Sequence, residues 1–308
     1  MSAISPVSHV SRFPSVPMAR YTRTLAWVVL AVVTGLILRN DDRHLNAPRG
    51  CRVQKDVLYR SVDGIAQYLD IYQPELQGPV EGRPALLAIH GGGWRGGTKV
   101  DYGRSLVPLV REGFVVIAVD YRLSRPGFPS WPGNLEDVRA AVRWVRAHSR
   151  ALGIDPRRIA AIGSSAGAHL ALLLGSFSVE NPSGVSAVID FYGPTDLRLL
   201  GVETAPTFEP VKVLLGASLQ AAPRLYIEAS PLLRVSRETP PTLALHGSDD
   251  ALIPLEQSIM LVEALKNFGV PNRLIVVESA RHGFGLQAGR TDLMPEIVSF
   301  LKNSWDSP

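Results

Sequence analysis

The chain has 308 residues, enough for one domain of about 250 to 300 residues with a short appended segment. Its 46% hydrophobic and 19% charged residues exclude an intrinsically disordered chain, while 24 prolines and 27 glycines require many loops. The net charge of +4 comes from scattered arginines rather than a basic run, which gives no support to a nucleic-acid partner.

Residues 25–38 read LAWVVLAVVTGLIL, with Arg12, Arg20 and Arg23 before them and Arg39, Asp41, Asp42 and Arg43 after. The run matches the core of an export signal better than a full bilayer span of roughly 20 residues, and a short uncleaved anchor fits as well. Basic residues ahead of it favour leaving that end in the cytoplasm. Residues 1–44 are therefore expected to be a signal sequence or membrane anchor. Residues 45–308 would then form a catalytic domain that is secreted, periplasmic or held at the membrane through residues 25–38. Met18 is a second candidate start, ahead of a compact basic leader. Cys51 is the sole cysteine, so no intramolecular disulfide forms and cysteine usage says nothing about export.

Residues 53–59 and 65–72 alternate in polarity about Asp63-Gly64, the pattern of a β-hairpin. Short apolar runs follow at 85–90, 114–120, 159–163, 185–191, 242–246 and 274–277, and their continuous hydrophobicity predicts strands buried on both faces. Residues 135–152 and 254–268 carry apolar side chains at helical spacing. Strands alternating with helices predict an α/β fold with a mostly parallel, doubly wound sheet and helices on both faces. Residues 194–241 have weaker periodicity and read either as a small cap insertion or as an ordinary helical connection.

Four motifs carry chemistry. Gly163-Ser164-Ser165-Ala166-Gly167 follows an apolar run and precedes a helix-forming stretch. That is the strand, turn and helix context of a nucleophile elbow, in which flanking glycines relieve clashes around a strained serine. Ser165, not Ser164, has glycine two positions away on both sides. Upstream, His90-Gly91-Gly92-Gly93-Trp94 ends a strand, and its Gly92 and Gly93 amides, with that of Ala166, are the candidate oxyanion donors. His90 reads as a loop-ordering residue. The loop lacks the Lys-Ser or Lys-Thr ending of a phosphate cradle.

Downstream, LHGSDD ends another strand; Asp250 is the expected partner of the catalytic histidine and Asp249 the residue that satisfies the turn. His282, after the last strand, is the candidate general base, since an imidazole titrates near neutral pH. His169, four residues beyond Ser165 on one helix, reads as packing. Trp94 and Tyr192 lie in loops beside these motifs and are candidate pocket walls. No metal-ligand spacing or HExxH occurs, so no cofactor is expected.

Over about residues 55–304, IHGGGW, GIDPRRI, GSSAGAHLALLLG, DFYGPTDL, LHGSDDALIP and the HGF at His282 together resemble α/β-hydrolase esterases related to hormone-sensitive lipase and kynurenine formamidase. The bacterial branch that includes feruloyl- and acetylxylan-esterase-like carboxylesterases is the most similar, because Ser164 and Gly167-Ala168-His169 replace the Asp and GG seen in other members. The resemblance implies an α/β-hydrolase fold and a small-molecule ester substrate with a short to medium acyl chain, or acetyl and hydroxycinnamoyl groups on sugars. A formamidase-like amidase and a noncatalytic hydrolase-fold binding protein are the other readings.

Overall fold

A computed structural model describes residues 47–75, 82–177, 180–202 and 204–306. The expected leader, residues 1–44, lies outside the described residues. Strands β1 (Cys51–Val62) and β2 (Ile65–Pro74) pair antiparallel up to Val62 opposite Ile65. Asp63 and Gly64 between them have φ of 51° and 78°. Two consecutive left-handed residues match the twist of a tight hairpin, which is why Asp-Gly marks this turn.

Six further strands of the same sheet follow: β3 (Arg83–Ile89), β4 (Val115–Val119), β5 (Ile154–Ser164), β6 (Val188–Phe191), β7 (Thr242–Gly247) and β8 (Asn272–Val277). The sheet order is β1-β2-β4-β3-β5-β6-β7-β8. Within this sheet the β1–β2 and β2–β4 pairings are antiparallel and β4 through β8 run parallel. Alternate residues of one strand enter opposite cores. Leu87 and Ile89 of β3 join one cluster, with Val138, Leu170 and Leu261; Leu86 and Ala88 join the other, with Leu109, Ile162 and Leu301. The period-two geometry of a strand thus divides each apolar run between two helical layers. β8 departs from the expectation of burial on both faces: as the last strand of the sheet it is half-covered, and Val276 is 44% exposed.

The helices are α1 (Lys99–Ser105), α2 (Val107–Arg111), α3 (Gly133–Ala147), α4 (Ser149–Leu152), α5 (Ala166–Leu174), α6 (Leu197–Leu200), α7 (Phe208–Leu215), α8 (Pro223–Glu228), α9 (Glu256–Asn267) and α10 (Met294–Asp306). The single helix expected over 135–152 is interrupted at His148. The ring of His148 stacks on Trp144 with centroids 4.0 Å apart, and its Nδ1 lies 2.8 Å from the Trp144 carbonyl.

Between β6 and β7, helices α6 to α8 form an insertion. Leu197, Leu200, Val211, Leu214 and Tyr226 from it pack with Trp94, Ala166 and Ile253 in a third core cluster. Those last three residues follow the carboxyl ends of β3, β5 and β7. The insertion is therefore a cap seated on the end of the sheet where α/β ligand sites lie. Among the described residues, no helix is long and apolar enough to cross a membrane.

Candidate active site

Ser165 stands between β5 and α5 with φ 53° and ψ −120°, a strained conformation for a residue with a side chain. The neighbouring strand holds it there: the Ser165 amide donates to the Phe191 carbonyl at 2.9 Å. The flanking glycines are sterically required. A Cβ on Gly163 would run into the Gly167 backbone, and one on Gly167 would run into the carbonyls of Ile89 and His90. The turn can be this sharp because neither position carries a side chain.

His282 follows β8. Its Nε2 lies 2.9 Å from Ser165 Oγ and its Nδ1 2.7 Å from Asp250 Oδ2. Both are within hydrogen-bond reach, so a neutral ring with its proton on Nδ1 donates to Asp250 and accepts from the serine hydroxyl. Asp250 comes from the turn after β7, with its side chain fully buried. Its Oδ1 accepts the amides of Leu252 and Ile253, each at 2.9 Å. Burial pushes this carboxyl up, but the hydrogen bonds from His282, Ile253 and Leu252 outweigh burial and hold it below its ordinary value. The turn-satisfying role expected of Asp249 belongs to Asp250 as well. Asp249 instead accepts the Ser248 hydroxyl at 3.0 Å, and its amide donates to Ala280.

Gly91 to Trp94 lie against this elbow. A Cβ on Gly91 would stand 2.8 Å from the Ser164 carbonyl and 3.4 Å from Ser165 Cβ. Gly92 and Gly93 have φ of 113° and 58°, and the Gly92 carbonyl accepts the amides of Arg95 and Gly96 at 3.1 Å. Among the described residues the amides of Gly92, Gly93 and Ala166 have no acceptor. These are the three amides that the sequence names as candidate oxyanion donors. His90 orders the loop, also as predicted: it stacks on Tyr121, whose hydroxyl donates to the His90 carbonyl at 2.9 Å.

Trp94 and His169 form a structural pair. The buried Trp94 indole donates to His169 Nδ1 at 3.2 Å, and His169 Nε2 donates to the Ala229 carbonyl at 2.7 Å. This ring ties the glycine loop, the elbow helix and the cap together, so Trp94 anchors its loop in addition to any contact with a ligand. Burial drives the His169 pKa down to about 4, against the opposing hydrogen bond to Ala229. The unfolded chain binds this proton near pH 6.5 and the folded chain only near 4, so stability should fall as pH drops between those values and level off below. The expected loss is about 3 kcal/mol from this one ring. Urea unfolding of the wild type and of His169→Gln checks it, because the variant should show a shallower decline over that window.

One further residue escaped sequence reasoning. His246, at the end of β7, is buried with Nε2 2.8 Å from the Ile253 carbonyl and 3.5 Å from Asp250 Oδ2, while its Nδ1 accepts the Ser258 hydroxyl at 2.7 Å. Burial lowers its pKa, so the ring stands beside Asp250 as a neutral group, its Nε2–H donated to the Ile253 carbonyl. Its position four residues before Asp250 on a strand end was the available signal. Among the described residues, no group of histidine, cysteine and carboxylate side chains is placed to hold a metal ion.

The BD-FAE family profile matches residues 69–265. Among curated proteins, esterase LipC of Mycobacterium tuberculosis is 32% identical over 265 residues, covering 81% of this chain. The chain spans 64% of the length of LipC. Among solved structures, a truncated carbohydrate esterase from gut microbiota superposes with a TM-score of 0.74 at 27% identity, covering 84% of this chain and 98% of that one. Thermogutta terrifontis esterase 2 phosphonylated by sarin superposes with a TM-score of 0.67 at 28% identity, covering 83% and 93% of the respective chains.

Proposed function

Since the chain belongs to the BD-FAE family, we propose that it is a serine carboxylesterase that works through an acyl-enzyme on Ser165. The observation that carries this reading is the continuous relay Asp250 Oδ2, His282, Ser165 Oγ, with links of 2.7 and 2.9 Å. As Ser165 Oγ attacks the ester carbonyl carbon, its proton passes to His282 Nε2, and Asp250 stabilises the resulting imidazolium. The carbonyl oxygen, now an oxyanion, is met by the amides of Gly92, Gly93 and Ala166, each such donor typically worth about 3 to 4 kcal/mol in the transition state. His282 then returns the proton to the departing alkoxide. Water repeats the sequence on the acyl-enzyme, releasing the acid and restoring Ser165.

The substrates are esters with short to medium acyl chains, with acetyl or feruloyl groups on sugars as the second reading. The likeness to a carbohydrate esterase is what supports that second reading. Residues 1–44 serve as an export signal or anchor, with 45–308 as the catalytic domain outside the cytoplasm; the basic residues and apolar run of that leader support this.

The test is hydrolysis of p-nitrophenyl acetate, butyrate and octanoate and of methyl ferulate, followed by treatment with an organophosphonate. Serine-dependent turnover that disappears as a single phosphonyl group appears on the Ser165 peptide is the expected result. Folded chain that hydrolyses none of the four esters would overturn the reading. Preference for methyl ferulate would select the sugar-ester substrates.

A further inference from the structure

Tyr192 reads from the sequence as a pocket wall, yet the structure turns it towards the histidine. It lies at the end of β6 with its backbone in the left-handed region, φ 44°. The conformation is imposed from both sides. The Tyr192 amide donates to the Leu245 carbonyl of β7 at 2.9 Å, and the fully buried Asp190 accepts the Gly193 amide on Oδ1 at 2.8 Å. Gly193 is wedged in turn: a Cβ there would stand 2.6 Å from Asp190 Oδ1 and 2.8 Å from Ala168 Cβ. The side chain of Tyr192 therefore projects across the strand ends. Its ring centroid is 4.6 Å from that of His282 and 4.8 Å from that of Phe284, and its hydroxyl donates to the Phe284 carbonyl at 2.5 Å.

The loop that carries His282 has few other hydrogen bonds, although Phe284 also packs on Phe191 with ring centroids 5.9 Å apart. Before the histidine, the Ser279 amide donates to Ser248 Oγ at 2.8 Å and the Ala280 carbonyl accepts the Asp249 amide at 3.0 Å. After it, the next backbone tie joins Leu293 to the Leu286 carbonyl at 2.9 Å. Among the described residues, the Tyr192 hydroxyl makes the one hydrogen bond to residues 281–285 besides those of the His282 ring itself. Gly283, with φ 100°, and Gly285 add no side chain to stiffen that stretch.

We propose that Tyr192 is a positioning residue for His282, its hydroxyl pinning the loop through the Phe284 carbonyl and its ring bracing the imidazole between Ser165 and Asp250. The inference rests on the serine-hydrolase reading of this site. Tyr192 is only 3% exposed, which suits a brace better than a surface offered to substrate. Burial, reinforced by the nearby Asp250 carboxylate, holds the phenol well above its ordinary pKa, so it remains a donor wherever the enzyme works. An imidazole free to drift by about 1 Å loses alignment with both partners, a displacement that costs up to roughly 100-fold in rate.

The full chain with Tyr192→Phe or Tyr192→Ala is compared with wild type on p-nitrophenyl acetate and butyrate, and the proton on His282 Nδ1 is followed by NMR. Removing the hydroxyl alone should lower kcat about tenfold on both esters with little change in KM, and removing the ring should lower it about 100-fold. The Nδ1 proton signal should move upfield or broaden in Tyr192→Phe, reporting a loosened bond to Asp250. Wild-type kcat with an unchanged signal in Tyr192→Phe overturns the proposal. So does a Tyr192→Ala variant that changes KM and acyl preference while sparing kcat, the outcome for a pocket wall. Tyr192→Phe keeps the ring and its packing, so it decides the matter even where Tyr192→Ala does not fold. Should wild type hydrolyse no ester, the carboxylesterase reading fails, while the His282 proton in wild type and Tyr192→Phe still tests the positioning.

Discussion

Replacing Ser165 with alanine should lower kcat by at least about 10⁴-fold, with KM little changed and the fold intact. Loss of the nucleophile leaves the cradle of Gly92, Gly93 and Ala166 amides in place, so the residual rate should still exceed that of the uncatalysed reaction. The same logic makes the relay residues non-additive. With His282 Nε2 2.9 Å from Ser165 Oγ, the imidazole and the hydroxyl act as one unit in the acylation step. His282→Ala alone, Ser165→Ala alone and the double variant should therefore fall to a similar floor. Ser164→Ala is the matched control, since Ser164 is the last residue of β5 and precedes the strained turn. The Ser164 side chain interacts with the hydroxyls of Tyr102 and Tyr192, so the variant should lose some turnover but far less than Ser165→Ala. The measurement is steady-state hydrolysis of p-nitrophenyl butyrate by protein purified away from host esterases. Comparable losses in the Ser164 and Ser165 variants would move the nucleophile.

The elbow could be read from sequence because its requirements are steric and local. The contacts that a Cβ on Gly163 or Gly167 would make are with backbone that the turn itself brings close, so the spacing of the glycines records the geometry. The hairpin at Asp63-Gly64 was legible for the same reason. The parallel sheet showed through its runs of apolar residues, because strands buried on both faces have no polar side to interrupt them. The cap was only half visible. Helices such as Leu197–Leu200 and Pro223–Glu228 are too short for a period to register, and they exist because Leu200, Leu214 and Tyr226 find one another and Trp94 in space. Most opaque were the supports of the relay. Tyr192 and Phe284 are 92 positions apart, and His246 faces Asp250 through a turn whose course depends on the hydrogen bonds of Asp250 itself. No local pattern encodes such pairings; they follow from which strand ends lie side by side.

Replacing Asp250 with asparagine should cost about 10⁴-fold in kcat, and the reason lies in the two oxygens of the carboxylate. Oδ1 accepts the amides of Leu252 and Ile253, and Oδ2 accepts from His282 Nδ1. An asparagine must keep its carbonyl oxygen on the two backbone donors, because the reverse orientation would bury three N–H groups facing one another. Its NH₂ group then points at His282. The imidazole can accept that donor only by moving its own proton to Nε2, and a ring protonated there cannot take the proton of Ser165. Geometry is preserved while the tautomer is wrong, so KM and structure should remain near wild type as kcat collapses. The acid limb of stability gives an independent readout. Asp250 is held below the unfolded carboxyl value of about 3.9, so its contribution is present above that pH and is lost as pH falls through the lowered folded value. Asparagine has no such proton to bind, and the variant should lose less stability than wild type on acidification below about pH 4. Imidazole ¹⁵N shifts that leave the proton on Nδ1 in Asp250→Asn, together with near-normal kcat, would separate Asp250 from the choice of tautomer and leave its buried carboxylate with a purely structural role.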